Sequence, residues 1–304
     1  MSLYSNASFN PVLSEALNKI GENKFVGTSI LPIRNVGTKN GDYPIFSDDQ
    51  FDLNDSAIRS AGSSFARRDF DYGKQSYACL QYALEGVLPD EDASKASDDG
   101  ISDAAGAIAQ KLQRDIMVGH EVRVQSALQN GGFNATAATA AMSAAGAKPI
   151  TDVQNAVERL NANGMFDNLA LIIESSLYNE LINTDDVRSI FNGNGQYTSK
   201  DILTSALGVS NIIVCPTRFN SAAKGQAASR TKIWETNAYY VAQIAGGEFS
   251  NGGIGRTLAY SPDGGAFTAE TYRDEPIKSD ILRVYMSCDE VIINANAGER
   301  ITGA

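Results

Sequence analysis

The sequence predicts a mixed α+β chain in which a sheet that takes strands from both ends clamps a compact α/β region. Three observations carry that expectation. Residues 102–130 form an unbroken run of helix formers without proline. Residues 149–245 alternate between short helical patterns and apolar strand patterns. The closing stretch from Ala266 is rich in Val, Ile, Tyr and Thr. The 304 residues are 43% hydrophobic and 20% charged, enough apolar mass for one large or two modest cores, so disorder is not the default.

Residues 1–28 are polar and Asn-rich, with one amphipathic stretch (Val12, Leu13, Ala16, Leu17, Ile20) spaced for a single helical face. A helix so short is unstable alone in water and needs a surface, here expected on a neighbouring molecule. TSILPIRNV and YPIFSDDQF read as extended, with a chain reversal at Asn40-Gly41. The run DYGKQSYACLQYAL places Tyr72, Ser76, Ala78 and Leu80 on one face and Tyr77, Cys79 and Gln81 on the other. Between these runs, SAIRSAGSSFARRDF reads as the tip of a long hairpin with too little apolar content to fold by itself. Phe65, Arg67, Arg68 and Phe70 at that tip are candidate inter-subunit contacts. The arginine pair could clasp a carboxylate of another subunit bidentately, or serve only solubility.

After the acidic linker PDEDASKASDDG, Ser102 or Asp103 is available to cap the long helix, and Gly131-Gly132 to stop it, at a length of about 40 Å. Its apolar stripe (Ala105, Ile108, Ala109, Leu112, Ile116, then Gly119) is narrow, which suits one side on a sheet and the other in solvent or at a subunit boundary. At Gln113 alanine is expected to cost almost nothing, since Gln and Ala are both good helix formers, and proline to break the helix. In the α/β region Thr151 is read as the cap of a helix carrying Val153, Ala156, Val157 and Leu160, closed by Gly164. NLALIIES reads as a buried strand, SSLYNELI and SKDILTSAL as helices, Gly208 as a stop before the strand VSNIIVC, and KIWETNAYYVAQIA as further extended chain. The terminal β runs are broken at Glu275-Pro276 and Asn296-Ala297-Gly298.

Composition and motifs argue against most chemistries. With 25 Lys and Arg against 36 Asp and Glu, the formal charge of −11 disfavours a protein that grips phosphate backbones. Cys79, Cys215 and Cys288 are far apart and read as reduced thiols. The start of the chain lacks a leader pattern and no run is long enough to span a membrane, so synthesis and maturation in a cytoplasm are expected. His120 is the single histidine and reads as structural, with a small allowance for a switch near neutrality. GGIGRT at 252–257 lacks the lysine of a phosphate loop and reads as a mobile loop, and the acidic clusters (Asp48-Asp49, Asp90-Glu91-Asp92, Asp98-Asp99, Asp185-Asp186) read as solvated loops and helix starts. No catalytic, cofactor or metal residue is assigned, and the chain is not expected to be an enzyme.

The order of these parts (flexible arm, long hairpin, long helix, α/β region, terminal β return) resembles the subunit fold of tailed-bacteriophage major capsid proteins. That fold was first described for phage Hong Kong 97 and is shared by encapsulins and the herpesvirus capsid floor. The resemblance implies an N-terminal arm at 1–28, a peripheral-domain strand at 29–40 and an E-loop hairpin at 41–85. It implies a peripheral domain with its spine helix at 86–148, an axial domain at 149–245, and return strands with the C-terminal exit at 246–304. It also implies hexamers and pentamers of an icosahedral head that encloses double-stranded DNA without sequence-specific binding. Scaffolding and portal proteins would be partners, and the virion, assembled in a host bacterial cytoplasm, the location. No residue matches the Lys–Asn crosslink of some members, since Lys74 sits late in the hairpin. No long helical scaffold region is present, which implies either prior processing or a separate scaffold. An encapsulin-like nanocompartment is the alternative, and a metal-dependent α/β hydrolase the reading from a different class.

Overall fold

The computed structural model describes residues 8–9, 17, 25–46, 61–62, 64–65, 72–93, 104–191, 200–223, 225–244, 246, 252–261 and 265–304. The N-terminal part holds β1 (Ser8–Phe9), a single helical turn α1 (Gly27–Ile30), β2 (Ile33–Val36), β3 (Asn40–Phe46), β4 (Tyr72–Ala78) and β5 (Leu80–Pro89). Then come the long helix α2 (Ala104–Asn130) and β6 (Asn134–Ala137). The middle of the chain supplies α3 (Pro149–Ala162), β7 (Leu169–Glu174), α4 (Ser175–Asn183), α5 (Asp185–Phe191) and α6 (Lys200–Leu207). It continues with β8 (Asn211–Cys215), a small hairpin of β9 (Arg218–Asn220) and β10 (Arg230–Lys232), and β11 (Ala238–Gln243). The chain ends with β12 (Gly255–Tyr260), β13 (Thr268–Asp274), β14 (Ser279–Ile292) and β15 (Gly298–Thr302).

The first sheet is built around β14. Ser279–Cys288 of that strand pairs with β5, while Ser279–Tyr285 pairs with β13 and Ser287–Ile292 with β12. A strand has only two hydrogen-bonding edges, so β12 and β13 lie end to end along the edge opposite β5. β1 extends the sheet beside β13, and β2 runs parallel to β12, so both ends of the chain contribute strands. Ala109, Ile116 and Met117 of α2 pack on Leu282, Val284, Met286 and Cys288, the even face of β14. Glycine is required where β5 passes under this helix: a Cβ on Gly86 would lie 2.4 Å from Ile108 Cγ2.

The second sheet has the order β6-β15-β11-β7-β8. Alternation along β7 divides two cores. Leu169, Leu171 and Ile173 face the helices α3–α6, whereas Ile172 packs with Val124 and Leu128 from the far half of α2. The long helix therefore lies on the first sheet with its first half and on the second with its last turns, a beam shared by two cores.

Several local expectations are corrected. Gly255, Arg256 and Thr257 of GGIGRT open the buried strand β12 instead of forming a mobile loop, because they pair with β14 in the first sheet. Residues 27–30 form a helical turn, not extended chain, because Ile30 N and Leu31 N bond back to Val26 O and Gly27 O while a distant carboxylate takes the free donors at its start. Asn40 and Gly41 are ladder residues, opposite Ala78 and Tyr77, so the reversal lies before them. The extended run after Tyr72 is broken at Cys79: β4 stays with β3 and β5 leaves for the first sheet, although Tyr77 and Cys79 are buried and Ser76, Ala78 and Leu80 exposed, as the alternation predicts. Thr151 is not a cap, because Pro149 opens the helix, its fixed φ already helical and its missing N–H no loss there. Gly208 does stop α6, at φ +72°. Asn134–Ala137 and Gly298–Thr302 both pair within the second sheet. Ser102, Asp103 and all of the amphipathic N-terminal stretch except Leu17 lie outside the described residues.

The polarity of α2 is the largest departure. Its buried face includes Gln113, His120, Glu121 and Gln125. Gln113 is 2% exposed and its Nε2 donates to Leu17 O, so the expectation that alanine is harmless there is wrong: an amide between helix and N-terminal segment has a partner to lose.

Candidate assembly surface

The β3–β4 ribbon stands on the face of the first sheet opposite α2. Tyr43, Tyr77 and Cys79 at its root pack against Leu258, Val291 and Ile293. Ala78 N donates to Asp289 Oδ2 at 2.9 Å, Cys79 Sγ lies 3.4 Å from Leu258 O, and Tyr43 Oη donates to Gln75 Oε1 at 2.8 Å. Burial pushes the Cys79 thiol up to about 11, with Asp289 acting in the same direction, and raises the Tyr43 phenol. Above this root Gly73, Lys74, Gln75 and Ser76 are exposed, so the ribbon is anchored at its base and bare along its shank. A cleft of about 740 Å³ runs beneath it, between Tyr43, Ile45 and Gln75 of the ribbon and Ala127, Asn130 and Gly131 at the end of α2.

Of the four expected contact residues, Phe65 is described and is 76% exposed, while Arg67, Arg68 and Phe70 lie outside the described residues. Sequence reasoning missed the apolar surface of β5. Leu80 is 63% and Val87 51% exposed on a strand whose second edge pairs with no other described strand. Their signal was present as an apolar run, but their exposure depends on what covers each face of the strand, which the local pattern does not encode.

Three polar joints hold the surfaces that carry this ribbon. Glu121 is fully buried on α2 and accepts from Val26 N at 2.7 Å, Gly27 N at 3.4 Å and Trp234 Nε1 at 3.4 Å, tying the N-terminal segment and the β10–β11 connection to one carboxylate. Arg123 Nε lies 3.1 Å from both oxygens of Glu290, and its guanidinium stacks 3.6 Å from the Tyr82 ring centroid, which joins α2, β14 and β5. His120 is completely buried, with Nε2 3.2 Å from Thr257 Oγ1. Thr257 gives its own proton to Leu31 O, so the imidazole carries its hydrogen on Nε2 and donates. Desolvation, reinforced by Arg123, pushes His120 down to about 3, so it stays neutral at physiological pH although Glu290 Oε1 is 3.6 Å away. It is a structural group and not a switch near neutrality.

Among the described residues no group of three His, Cys, Asp or Glu side chains is placed to hold a metal ion, and no helix is long and apolar enough to cross a membrane. All three cysteines are buried and unbridged, their thiols raised by desolvation.

No family model matches this chain, and no curated protein matches it. Solved structures do. A phage-related protein of Bordetella bronchiseptica RB50 is 20% identical, with 98% of each chain covered and a TM-score of 0.76. A putative prophage capsid protein of Escherichia coli CFT073 is 11% identical over 98% of this chain and 99% of that one, with a TM-score of 0.59. A virus-like particle of Pyrococcus furiosus is 12% identical over 95% and 96%, with a TM-score of 0.55. The class that this architecture defines is a mixed helix-and-sheet fold with a long helix shared by two cores and a projecting ribbon. More particularly, the chain has the Hong Kong 97-type fold of phage capsid proteins.

Proposed function

We propose that this chain is a major capsid protein, a structural subunit without catalytic function that self-assembles into hexamers and pentamers of an icosahedral phage head around double-stranded DNA. The observation that carries the reading is the ribbon, fixed to its own subunit at Tyr43, Tyr77 and Cys79 and exposed at Gly73, Lys74, Gln75 and Ser76 beyond that root, on a fold shared with phage capsid proteins. A two-stranded ribbon without a covering layer is marginal in water, so its shank and the exposed Leu80 and Val87 call for burial against other copies. Within this reading 1–28 is the arm, 29–40 a peripheral strand and 41–85 the E-loop. Residues 86–148 form the peripheral domain with its spine helix, 149–245 the axial domain, and 246–304 the return strands and exit. Phe65, Arg67, Arg68 and Phe70 meet a neighbouring subunit. Scaffolding and portal proteins are the further partners, and assembly takes place in the host cytoplasm. An acidic subunit suits a DNA container, since duplex slides past an inner wall of like charge.

Sedimentation and negative-stain microscopy of the purified protein test this reading. Capsomers or closed shells are expected at moderate concentration. A compact monomer at every salt concentration, with scaffold present as well as absent, would overturn it, and a shell that encloses an enzyme instead of DNA would favour a nanocompartment.

A further inference from the structure

One short projection carries a net positive charge although the chain as a whole is acidic. Between Pro216 and Trp234 there are four cations (Arg218, Lys224, Arg230, Lys232) and no acidic residue. The preceding segment 149–215, which forms the helical layer on the second sheet, holds eight acidic residues against three basic ones. β9 and β10 shape the cationic segment into a finger that leaves the sheet after β8 and returns to it before β11.

The finger is ordered without a core of its own. Asn220 Oδ1 accepts from Ala222 N at 3.2 Å and Ser229 N at 2.9 Å, Ser221 N donates to Ser229 O at 2.8 Å, and the hydroxyls of Ser221 and Thr231 are 2.8 Å apart. Its register sets Arg218 directly opposite Lys232, a like-charge pair that weakens the ribbon. Lys232 is relieved by Glu174 Oε2 at 3.3 Å, whereas the exposed Arg218 and Arg230 have no ion-pair partner among the described residues. The same holds for the exposed carboxylates of Glu158, Glu180, Asp185 and Asp201 on the helical layer, where Ile190 and Ile202 are also 44% and 43% exposed.

We propose that the β9–β10 finger of one copy docks on the acidic α3–α6 layer of the next, a head-to-tail contact that closes copies into rings. This rests on the shell reading above. Two different surfaces of one chain, opposite in charge and with Arg218, Arg230 and the four exposed carboxylates unpaired among the described residues, define a heterologous interface, and repetition of such an interface by a fixed rotation makes a ring. Guanidinium groups paired with carboxylates set register and orientation, and the small Ala-rich tip allows close approach to Ile190 and Ile202.

The experiment compares assembly of the full chain with that of R218E/R230E, the milder R218Q/R230Q, and R218E/R230E combined with E180K/D185K, by sedimentation velocity and negative-stain microscopy. Far-ultraviolet circular dichroism reports folding throughout. The wild-type assembled fraction should fall with added salt, and the double reversal should lower it about tenfold with the circular dichroism unchanged. The glutamine pair should give an intermediate loss, and the compensating lysines should restore capsomers. Wild-type yield from R218E/R230E and R218Q/R230Q would overturn the proposal while leaving the shell reading intact, as would a failure of E180K/D185K to rescue. Intact shells that lose only their retention of duplex DNA would overturn it in favour of a nucleic-acid partner. A wild-type chain that never assembles would remove both readings.

Discussion

His120 and Glu121 are neighbours on one turn of α2, and both are buried among groups far away in the chain. The unfolded imidazole takes a proton near its ordinary value of 6.5, whereas the folded one stays neutral down to about 3. Between those values the unfolded state binds more protons, so this group's contribution is full above pH 6.5 and is lost as the pH falls towards 3, by at most about 1.4 kcal/mol per pH unit. Glu290 acts in the opposite sense, since burial raises its carboxyl against the pull of Arg123 and the folded state protonates first. The informative quantity is therefore the difference between wild type and His120→Gln in urea midpoints from pH 7 to pH 4, and the wild type is expected to lose more stability over that range. Glu121→Ala strands the N–H groups of Val26 and Gly27 and is expected to cost about 3 kcal/mol, with Glu121→Gln milder because it keeps one acceptor oxygen. Equal urea midpoints for wild type and Glu121→Ala would refute that role.

At the scale of elements, the long helix and the ribbon carry the architecture. The C-terminal end of the long helix and the glycine stop at Gly208 were legible because helix breaking is local, decided within a few residues. The long helix's buried polar face was not legible, because Gln113, Glu121 and His120 acquire partners 96, 95 and 137 residues away in the sequence. The test of helix continuity accordingly moves to Arg114, an exposed neighbour. Arg114→Ala should leave the thermal midpoint nearly unchanged, while Arg114→Pro removes a backbone bond and clashes with the turn before it, at about 3 kcal/mol or more. Gln113→Ala should fall between them at about 1–2 kcal/mol, since Leu17 O loses its donor. Identical midpoints for all three variants would mean that the beam is not continuous there.

For the whole molecule, α2 contributes side chains to the cores of both sheets while the exposed shank of the ribbon lies outside them, so surface projections can be removed without unpacking either. Deleting residues 54–69 of the hairpin is expected to leave the circular dichroism of the folded chain intact and to abolish closed particles in micrographs. Global unfolding of the deletion variant would place those residues in a core. In the proposed shell, the exposed Phe65 and the exposed shank of the ribbon are surfaces that another copy would complete.

Periodicity and punctuation alone determined the α+β class, the long helix, the buried strand at 169–174, and the lack of any residue set with a familiar catalytic spacing, because each depends on neighbours a few positions away. Only the tertiary structure decided that β5 leaves the ribbon at Cys79 for β14, that β6 and β15 meet in the second sheet, and that the helix face carrying Gln113 and Glu121 is interior. Strand pairing and burial of polar groups are settled by which distant backbone and side-chain partners close the hydrogen-bond account, and no local pattern encodes a partner 95 residues away.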